Sequence, residues 1–299
     1  MLYEWPKNFQ KTIIFMQIDE LPPLRDVISK YNLEAKRSLG QNFLHDLNLT
    51  SKIALLNGSI KNSTILEIGA GPGALTRGLL ASGAKKVIAI ERDKRCIPAL
   101  MDIANYYDGK LEILERDALK FDLNEIKDFG SLKIISNLPY NIGTELLVKW
   151  LTPVSWPPKW EDMTLMFQKE VAERIVAIPS TKAYGRLSVL AQWRCNTNIR
   201  MTVSPDAFRP KPKVQSAVIS IKALNTPKFY ANQAILENLV KAGFNQRRKM
   251  IRSSLKSFDV NINNHLLSVN LKPTLRAENL TISDWCKLAE HIEKNKQLN

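Results

Sequence analysis

A short apolar run that leads directly into a glycine-rich turn constrains the fold of this chain more than any other feature. Residues Thr64–Ile68 are mostly β-branched or aliphatic and predict a buried strand. The next residues are Gly69-Ala70-Gly71-Pro72-Gly73-Ala74. Glycines let the backbone turn sharply here, and they let a ligand lie against it without a Cβ in the way. The pattern predicts a strand that turns into a helix beside a ligand site.

Similar apolar runs alternate with helical patterns further along the chain, which predicts a parallel sheet covered by helices on both faces. The predicted strands are Thr64–Ile68, Lys86–Ile90, Leu111–Leu114, Leu132–Ile135, Met163–Phe167 and Val218–Ile221. The predicted helices are Ala74–Ser82, Lys94–Tyr106, Glu145–Trp150, Lys169–Ala177 and Arg186–Trp193, then Ala231–Ala242, Arg247–Lys256 and Ser283–Lys294. The strand pattern stops after Lys222. We expect an N-terminal arm (1–35), an α/β domain (36–224) and a small all-helical domain (225–299).

The charge balance predicts a polyanionic partner. The 299 residues contain 43 Lys and Arg against 29 Asp and Glu, a formal charge of +14, and an excess of this size favours nucleic acid over membrane. Cys96, Cys195 and Cys286 are isolated, as are the three histidines. We therefore expect a reducing compartment, no disulfide framework and no metal site. Neither a membrane-spanning run nor a signal or transit peptide is evident, so we expect a cytoplasmic protein, most simply a monomer.

Two carboxylates help to interpret the glycine turn. The glycines alone fit G-x-G-x-x-A as well as a methyltransferase turn, so they leave open a nicotinamide-dinucleotide site or a turn without a ligand. Glu91 closes the second predicted strand, well placed for ribose hydroxyls, which both cofactor classes require. Asp117 closes the third and could accept a hydrogen bond from an adenine amino group, as methyltransferases commonly arrange. The two together favour S-adenosylmethionine.

The fourth strand ends in Asn137-Leu138-Pro139-Tyr140, a tetrapeptide suited to methylation of an adenine N6 amine. The lone pair of that amine is delocalised into the ring. If its two N–H groups donate to the Asn137 side-chain oxygen and the Leu138 carbonyl, the nitrogen can pyramidalise and become nucleophilic. Pro139 stiffens the turn, and Tyr140 offers a face on which an extracted base can stack. Methyl transfer then needs mainly positioning, and no strong base is obligatory.

These residues, with several other motifs, closely resemble the ribosomal RNA adenine dimethyltransferase family. The resemblance covers the chain from about residue 20 to its end. Its motifs are Lys36-Arg37-Ser38-Leu39-Gly40-Gln41-Asn42-Phe43-Leu44, Leu66-Glu67-Ile68-Gly69-Ala70-Gly71-Pro72-Gly73, Asn137-Leu138-Pro139-Tyr140, Phe167-Gln168-Lys169-Glu170-Val171-Ala172-Glu173-Arg174, Phe208-Arg209-Pro210-Lys211-Pro212-Lys213-Val214 and Phe244-Asn245-Gln246-Arg247-Arg248-Lys249. The likeness is greatest to the bacterial enzymes that act on the small subunit. Loss of such an enzyme confers kasugamycin resistance.

The resemblance implies a class I, Rossmann-like methyltransferase domain with a small helical C-terminal domain. It also implies dimethylation of two adjacent adenosines near the 3′ end of small-subunit ribosomal RNA, late in assembly of the 30S particle. Carried over by position, the cofactor site would comprise Asn42, Leu44, Gly69, Gly71, Glu91, Asp117 and Asn137. Phe208 would be a second aromatic wall for the target base, opposite Tyr140. Two features depart from the family: Arg116 replaces a small or polar residue, and residues 1–15 have no evident counterpart, so Met16 could be the start.

Basic residues beside the predicted pocket and on the predicted helix 247–256 suggest RNA contacts. They are Arg209, Lys211 and Lys213, and Arg247, Arg248, Lys249, Arg252 and Lys256. Solvated surface charge is the alternative for each group by itself. Three other functions also stay open: a large-subunit adenine N6-methyltransferase, a non-catalytic assembly or transcription factor on the same fold, and a dinucleotide oxidoreductase. The intact tetrapeptide and glycine turn favour the small-subunit enzyme.

Overall fold

A computed structural model describes residues 19–36, 39–127 and 130–297 of the chain. Residues 1–18 of the predicted arm, with Met16, and Arg37 and Ser38 of the first family motif lie outside these ranges. The chain forms two compact units. The first is Met1–Pro139 with Pro205–Lys213, and the second is Tyr140–Ser204 with Val214–Asn299. The predicted boundaries after residues 35 and 224 rest on sequence pattern and stay predictions.

In the described residues, strands and helices are interspersed up to β9, and the elements after β9 are helical. The strands are β1 Phe43–Leu44, β2 Ser63–Ile68, β3 Lys86–Glu91, β4 Leu111–Glu115, β5 Ser131–Asn137, β6 Trp160–Gln168, β7 Cys195–Val203, β8 Phe208–Arg209 and β9 Ser216–Ala223. The α-helices are α1 Leu24–Lys30, α2 Leu47–Ala54, α3 Ala74–Ala81, α4 Ile97–Tyr106, α5 Gly143–Leu151, α6 Lys169–Val176, α7 Arg186–Arg194, α8 Gln233–Asn245, α9 Ile251–Ser254, α10 Ile262–Ser268 and α11 Ile282–Gln297. None of the described helices is long and apolar enough to cross a membrane.

The first unit is built on four parallel strands in the order β4-β3-β2-β5. In their register, Leu66 of β2 lies beside Ile88 of β3 and Ile134 of β5, and all three side chains are buried. Parallel neighbours need a crossover connection, which α3 provides between β2 and β3 and α4 between β3 and β4. These four strands and two helices confirm the prediction from the apolar runs. The carboxyl ends of the strands therefore meet at one edge of the sheet.

The N-terminal residues of this unit are attached to its helices by a buried ion pair. The Arg77 guanidinium of α3 contacts the Asp19 carboxylate, and both side chains are almost fully buried. Arg77 also donates to the carbonyls of Leu21 and Pro22. Removing one member of such a pair would leave an unpaired buried charge, which costs about 3–5 kcal/mol. Residues 19–22 are thus part of the folded unit.

The second unit contains three antiparallel strands in the order β6-β9-β7. The expectation of a wholly parallel sheet is therefore wrong for this part of the chain, although Met163–Phe167 and Val218–Ile221 are strands as predicted. The sequence pattern missed β7. Only its two end residues, Cys195 and Val203, are buried. Most of the side chains between them are polar and face solvent. An apolar run, the signal used for the other strands, is absent from such a strand.

The helices of the second unit surround a core of large aromatic side chains. Trp285 of α11 packs with Trp193, Tyr184 and Leu236 in one buried cluster. Side chains from the described part of the predicted helical domain 225–299 thus share a core with α7 and the residues before it. The predicted helix 247–256 is largely wrong. Only Ile251–Ser254 is α-helical, and residues 246–249 form a turn that precedes a bridge to the Arg276 backbone.

Candidate active site

The glycine turn after β2 lies against two other segments of the first unit. Gly69 and Gly71 have φ angles of +70° and +55°, in the left-handed region that glycine adopts at little cost. A Cβ on Gly69 would come within 3.0 Å of Pro139 Cγ, and one on Gly71 within 3.0 Å of Phe43 Cε1. Pro139 follows β5, and Phe43 belongs to β1. The turn, the Asn137-Leu138-Pro139 segment and β1 therefore meet at the carboxyl edge of the sheet.

Glu91, the last residue of β3, is hydrogen-bonded to the glycine turn. Its Oε2 accepts from the Gly71 amide at 2.7 Å, and its Oε1 accepts from the amides of Arg92 and Asp93, each at 2.7 Å. The side chain is buried, and burial raises the pKa of the carboxyl group while the three amide donors lower it. The predicted position of Glu91 beside the turn agrees with this geometry. Its role at ribose hydroxyls stays a prediction.

A second carboxyl group, Glu67 within β2, has no role in the sequence-based account. Its Oε2 accepts a hydrogen bond from the Thr76 hydroxyl at 2.7 Å, and the residue is 1% exposed. Burial, reinforced by the nearby Glu91 charge, raises the pKa of Glu67 to about 8. This carboxyl group therefore stays largely protonated at neutral pH. The sequence feature that could have revealed this group is a single acidic residue among the β-branched and aliphatic residues of Thr64–Ile68.

Asp117 lies two residues after β4, at the strand end adjacent to that of Glu91. Its Oδ1 accepts from the Leu119 amide at 3.0 Å, and its Oδ2 is 3.6 Å from the Arg92 guanidinium. The carboxylate is thus oriented by the loop that carries it. Arg116, which departs from the family pattern, pairs with Glu125. The contact of Asp117 with an adenine stays a prediction.

The tetrapeptide begins at the end of β5. The Asn137 side-chain nitrogen donates to the Asn42 carbonyl at 3.2 Å, so the side-chain oxygen is the atom of this amide left to accept a hydrogen bond. The Ser136 hydroxyl donates to the Ile68 carbonyl at 2.7 Å and ties β5 to the end of β2. The Leu138 side chain is buried, which anchors the backbone whose carbonyl precedes Pro139. This segment can present two acceptors beside the glycine turn.

The short strands β1 and β8 are paired near this edge. Leu44 lies opposite Phe208, and Phe43 lies opposite Arg209. Leu44 and Phe208 are both buried, and Phe208 is only 1% exposed. Stacking of Phe208 on a base therefore requires its face to be uncovered first. Its role as an aromatic wall stays a prediction.

Three predicted site residues belong to the second unit. The Tyr140 hydroxyl is 2.6 Å from the Ser216 hydroxyl, and burial raises the pKa of the phenol. Arg247 donates from Nε to Glu278 Oε2 at 2.8 Å and from a terminal nitrogen to the Thr181 carbonyl at 3.1 Å, so it forms an ion pair within the fold, and its contact with RNA stays a prediction. Arg248 is exposed. It has no ion pair within the part of the chain that the structure describes.

The first unit thus brings together bare glycine backbone, a buried carboxylate and a directed amide oxygen. The contacts described above connect Asn42, Gly69, Gly71, Glu91, Asn137 and Pro139. Leu44 and Leu138 belong to the same segments as Asn42 and Asn137. Carboxylate and amide oxygens accept N–H and O–H groups, while glycines allow a close approach to the backbone. The arrangement suits a ligand with hydroxyl groups next to a planar amine. It offers binding and orientation rather than a nucleophile of its own.

Comparison with known proteins relates this geometry to a family. A sequence model described as "Ribosomal RNA adenine dimethylase" matches residues 32–294. A curated protein of Dinoroseobacter shibae, named "Ribosomal RNA small subunit methyltransferase A", is 55% identical over 276 residues, which are 92% of this chain and 98% of that protein. The crystal structure of a dimethyladenosine transferase from Plasmodium falciparum has a TM-score of 0.68 at 28% identity and covers 85% of this chain and 98% of its own. The 23S rRNA methyltransferase ErmE has a TM-score of 0.62 at 24% identity, over 84% and 100% of the two chains.

Proposed function

Because the chain belongs to the ribosomal RNA adenine dimethylase family, we propose that it dimethylates the N6 amines of two adjacent adenosines near the 3′ end of small-subunit ribosomal RNA. The methyl groups come from S-adenosylmethionine. The predicted fold class, an α/β class I methyltransferase fold with a helical C-terminal region, is confirmed. The observation that carries the proposal is the contact between the glycine turn and the Asn137-Leu138-Pro139 segment. A Cβ placed on Gly69 would lie only 3.0 Å from Pro139 Cγ.

The residues at the strand ends fit S-adenosylmethionine. Glycine backbone without side chains provides the close approach that the cofactor needs, and Glu91 presents a buried carboxylate to its ribose. The residues that would hold it are Asn42, Leu44, Gly69, Gly71, Glu91, Asp117 and Asn137. When bound, the cofactor supplies an electrophilic methyl group on a sulfonium. The protein's task is to hold an adenine amine in line with it.

The tetrapeptide activates and orients that amine. The Asn137 side-chain oxygen and the Leu138 carbonyl accept its two N–H groups, which lets the nitrogen pyramidalise. The hydrogen bond from Asn137 to the Asn42 carbonyl fixes which atom of the amide faces the base. Tyr140 stacks on the extracted base, a contact worth roughly 1–3 kcal/mol. The Ser216 hydroxyl, 2.6 Å away, holds the tyrosine ring in place.

RNA is bound through exposed cations rather than through every basic residue of the chain. Arg248, Lys249, Arg252 and Lys256 are exposed and lie on the turn after α8 or near α9. Arg247 is excluded from this group because Glu278 and the Thr181 carbonyl engage it. Counterion release from phosphates drives such contacts. The substrate is a small-subunit precursor late in 30S assembly, which the chain meets as a cytoplasmic monomer.

Mass spectrometry of ribosomal RNA from cells that lack the chain tests this function. We expect N6,N6-dimethyladenosine to disappear from the small-subunit RNA and to return with the wild-type gene but not with Asn137→Ala. Loss of a methyl group from the large-subunit RNA instead would establish the large-subunit alternative. Unchanged RNA modification together with defective subunits would establish a non-catalytic assembly factor.

A further inference from the structure

Residues 39–44, hereafter loop 39–44, include β1 and carry the predicted cofactor residues Asn42 and Leu44. Gln41, next to Asn42, connects this loop to the residues that follow β3. The Gln41 side chain makes two hydrogen bonds. Its Nε2 donates to Asp93 Oδ2 at 3.0 Å, and its Oε1 accepts from the Lys36 amide at 2.9 Å. A side-chain amide that donates and accepts at once has a defined orientation. Gln41 therefore joins Lys36, which precedes the loop, to Asp93, the second residue after β3.

Asp93 gathers a second contact from the same part of the chain. Its carboxylate is held by the Arg95 guanidinium, with distances of 2.6 Å to Oδ2 and 3.0 Å to Oδ1. Arg95 in turn donates to the Glu34 carbonyl at 3.2 Å. The Asp93 side chain is 6% exposed. Because Arg95 and Gln41 donate to it, the pKa of this carboxyl group falls to about 2, and it stays ionised throughout the pH range of ordinary assays.

The backbone of Asp93 continues the network to the cofactor site. Its amide donates to Glu91 Oε1 at 2.7 Å, and Glu91 Oε2 accepts from the Gly71 amide at 2.7 Å. Hydrogen bonds thus run without a break from the Lys36 amide through Gln41, Asp93 and Glu91 to the glycine turn. At the next residue, Asn137 donates to the Asn42 carbonyl, and the last two residues of the loop, Phe43 and Leu44, pair with β8. Side-chain hydrogen bonds thus hold Gln41 on the β3 side of the glycine turn and Asn42 on its β5 side.

We propose that Gln41 and Asp93 are positioning residues for the cofactor, which hold loop 39–44 so that Asn42 and Leu44 face the same ligand as Glu91. The inference rests on the proposed use of S-adenosylmethionine. Neither residue needs to touch that ligand, because both act through neighbours that do. Loss of the Gln41–Asp93 hydrogen bond releases the Gln41 side chain from the segment after β3, so the neighbouring Asn42 is less well oriented and cofactor binding weakens.

Replacement of Gln41 by glutamate makes this contact dependent on pH. A protonated Gln41→Glu carboxyl group can still donate to Asp93 and accept from the Lys36 amide. An ionised one cannot donate, and the Asp93 charge repels it, which raises its pKa above the ordinary value near 4.3. Among the described residues, the charged and titratable groups that the contacts above link to this position are Glu34, Lys36, Glu91, Asp93 and Arg95, with Cys96 beside Asp93 and Arg95. The position is part-buried, so the repulsion is only partly screened by water.

Calorimetry with S-adenosylmethionine on the full chain at several pH values between 5 and 8 tests the proposal. The measured quantity is the dissociation constant of each variant divided by that of the wild type at the same pH. For Gln41→Ala we expect roughly a tenfold ratio at every pH, the scale of one hydrogen bond to a charged group. For Gln41→Glu we expect a ratio near one at the lowest pH, which rises to tenfold or more as pH increases. Gln246→Glu, an exposed glutamine of the second unit, is the matched control.

Steady-state kinetics with a small-subunit particle provides the second readout. The KM for S-adenosylmethionine should rise in Gln41→Ala while kcat at saturating cofactor stays close to wild type, because the adenine acceptors are intact. Equal dissociation constants for wild type, Gln41→Ala and Gln41→Glu at all pH values would overturn the proposal. If Gln41→Ala does not fold, a weakened Gln41→Glu that fails to recover at low pH overturns it. A wild-type chain that does not bind S-adenosylmethionine refutes the proposed function itself, and the inference with it.

Discussion

Glu67→Gln is predicted to change how the stability of this protein depends on pH. Glu67 is 1% exposed within β2, with the Thr76 hydroxyl 2.7 Å away and the Glu91 carboxyl group nearby. A carboxyl group in such surroundings stays protonated, because taking its charge out of water is expensive. Glutamine has nearly the same shape and is neutral at all pH values. The variant therefore removes the titration and keeps the packing.

The magnitude follows from the difference in pKa between the folded and unfolded chain. Burial raises the pKa of Glu67 from 4.5 to about 8, so the folded state binds its proton more tightly than the unfolded state. The contribution of Glu67 to the stability of the folded state is then greatest below pH 4.5 and is lost as pH rises towards 8, by about 1.4 kcal/mol for each pH unit. Over the whole interval this amounts to roughly 5 kcal/mol. Glu67→Gln lacks this loss.

Urea unfolding followed by circular dichroism, at pH 4.5, 6, 7 and 8, measures the effect. The difference in unfolding free energy between Glu67→Gln and wild type at pH 4.5 is subtracted from the difference at each higher pH. This baseline reports the replacement of a carboxyl group by an amide rather than its ionisation. The remaining difference should grow in favour of the variant up to pH 8 and then level off. Glu112→Gln, at a partly exposed residue of β4 whose carboxylate pairs with Lys86 at 2.6 Å, is the control and should show no gain in stability that grows with pH. Parallel curves for Glu67→Gln and wild type would mean that Glu67 is ionised in the folded chain and would refute the reasoning.

Other predictions address the cofactor, the base and the RNA. Glu91→Ala should weaken S-adenosylmethionine binding by roughly 1.5–3 kcal/mol in calorimetry; unchanged affinity would remove Glu91 from the site. Tyr140→Ala should slow methyl transfer by about ten- to a hundredfold with near-normal cofactor affinity. Tyr140→Phe keeps the stacking face and should keep most of the rate. If Tyr140→Ala is as active as Tyr140→Phe, the aromatic face is not needed and Tyr140 is structural. Arg248→Ala should flatten the log–log salt dependence of RNA binding by about one unit. Arg247→Ala should instead lower the thermal midpoint, because its ion pair with Glu278 is lost, and an altered salt slope there would contradict the structural assignment.

The sequence predicted the parts of this fold that local pattern encodes. Strands β2 to β5 contain mainly apolar residues, interrupted by single charged residues such as Glu67, Glu112 and Lys133, and the turn after β2 is marked by Gly69 and Gly71. The order of the strands then placed Glu91, Asp117 and Asn137 at one edge of a sheet, because parallel strands end on the same side. The direction of β6 and β9 was not predictable in this way, since an apolar run has the same composition in either orientation.

Contacts between distant residues account for most of what the sequence did not reveal. Gln41 and Asp93 are 52 positions apart, and Arg247 and Glu278 are 31 apart. No local pattern distinguishes the paired Arg247 from the exposed Arg248 beside it. The raised pKa of Glu67 likewise depends on burial and on Glu91, which only the folded chain brings near. The positions of Glu91, Asp117 and Asn137 at or just after strand ends were therefore easier to predict than the contacts that support them.

The most direct test of the central claim is methylation of small subunits by the purified chain. Subunits are isolated from cells that lack the gene, incubated with S-adenosylmethionine and the protein, and their RNA fragments are sequenced by mass spectrometry. The proposed function predicts two methyl groups on each of two adjacent adenosines near the 3′ end, and none with Asn137→Ala. Methyl groups at another position, on large-subunit RNA only, or equally abundant with Asn137→Ala would contradict it.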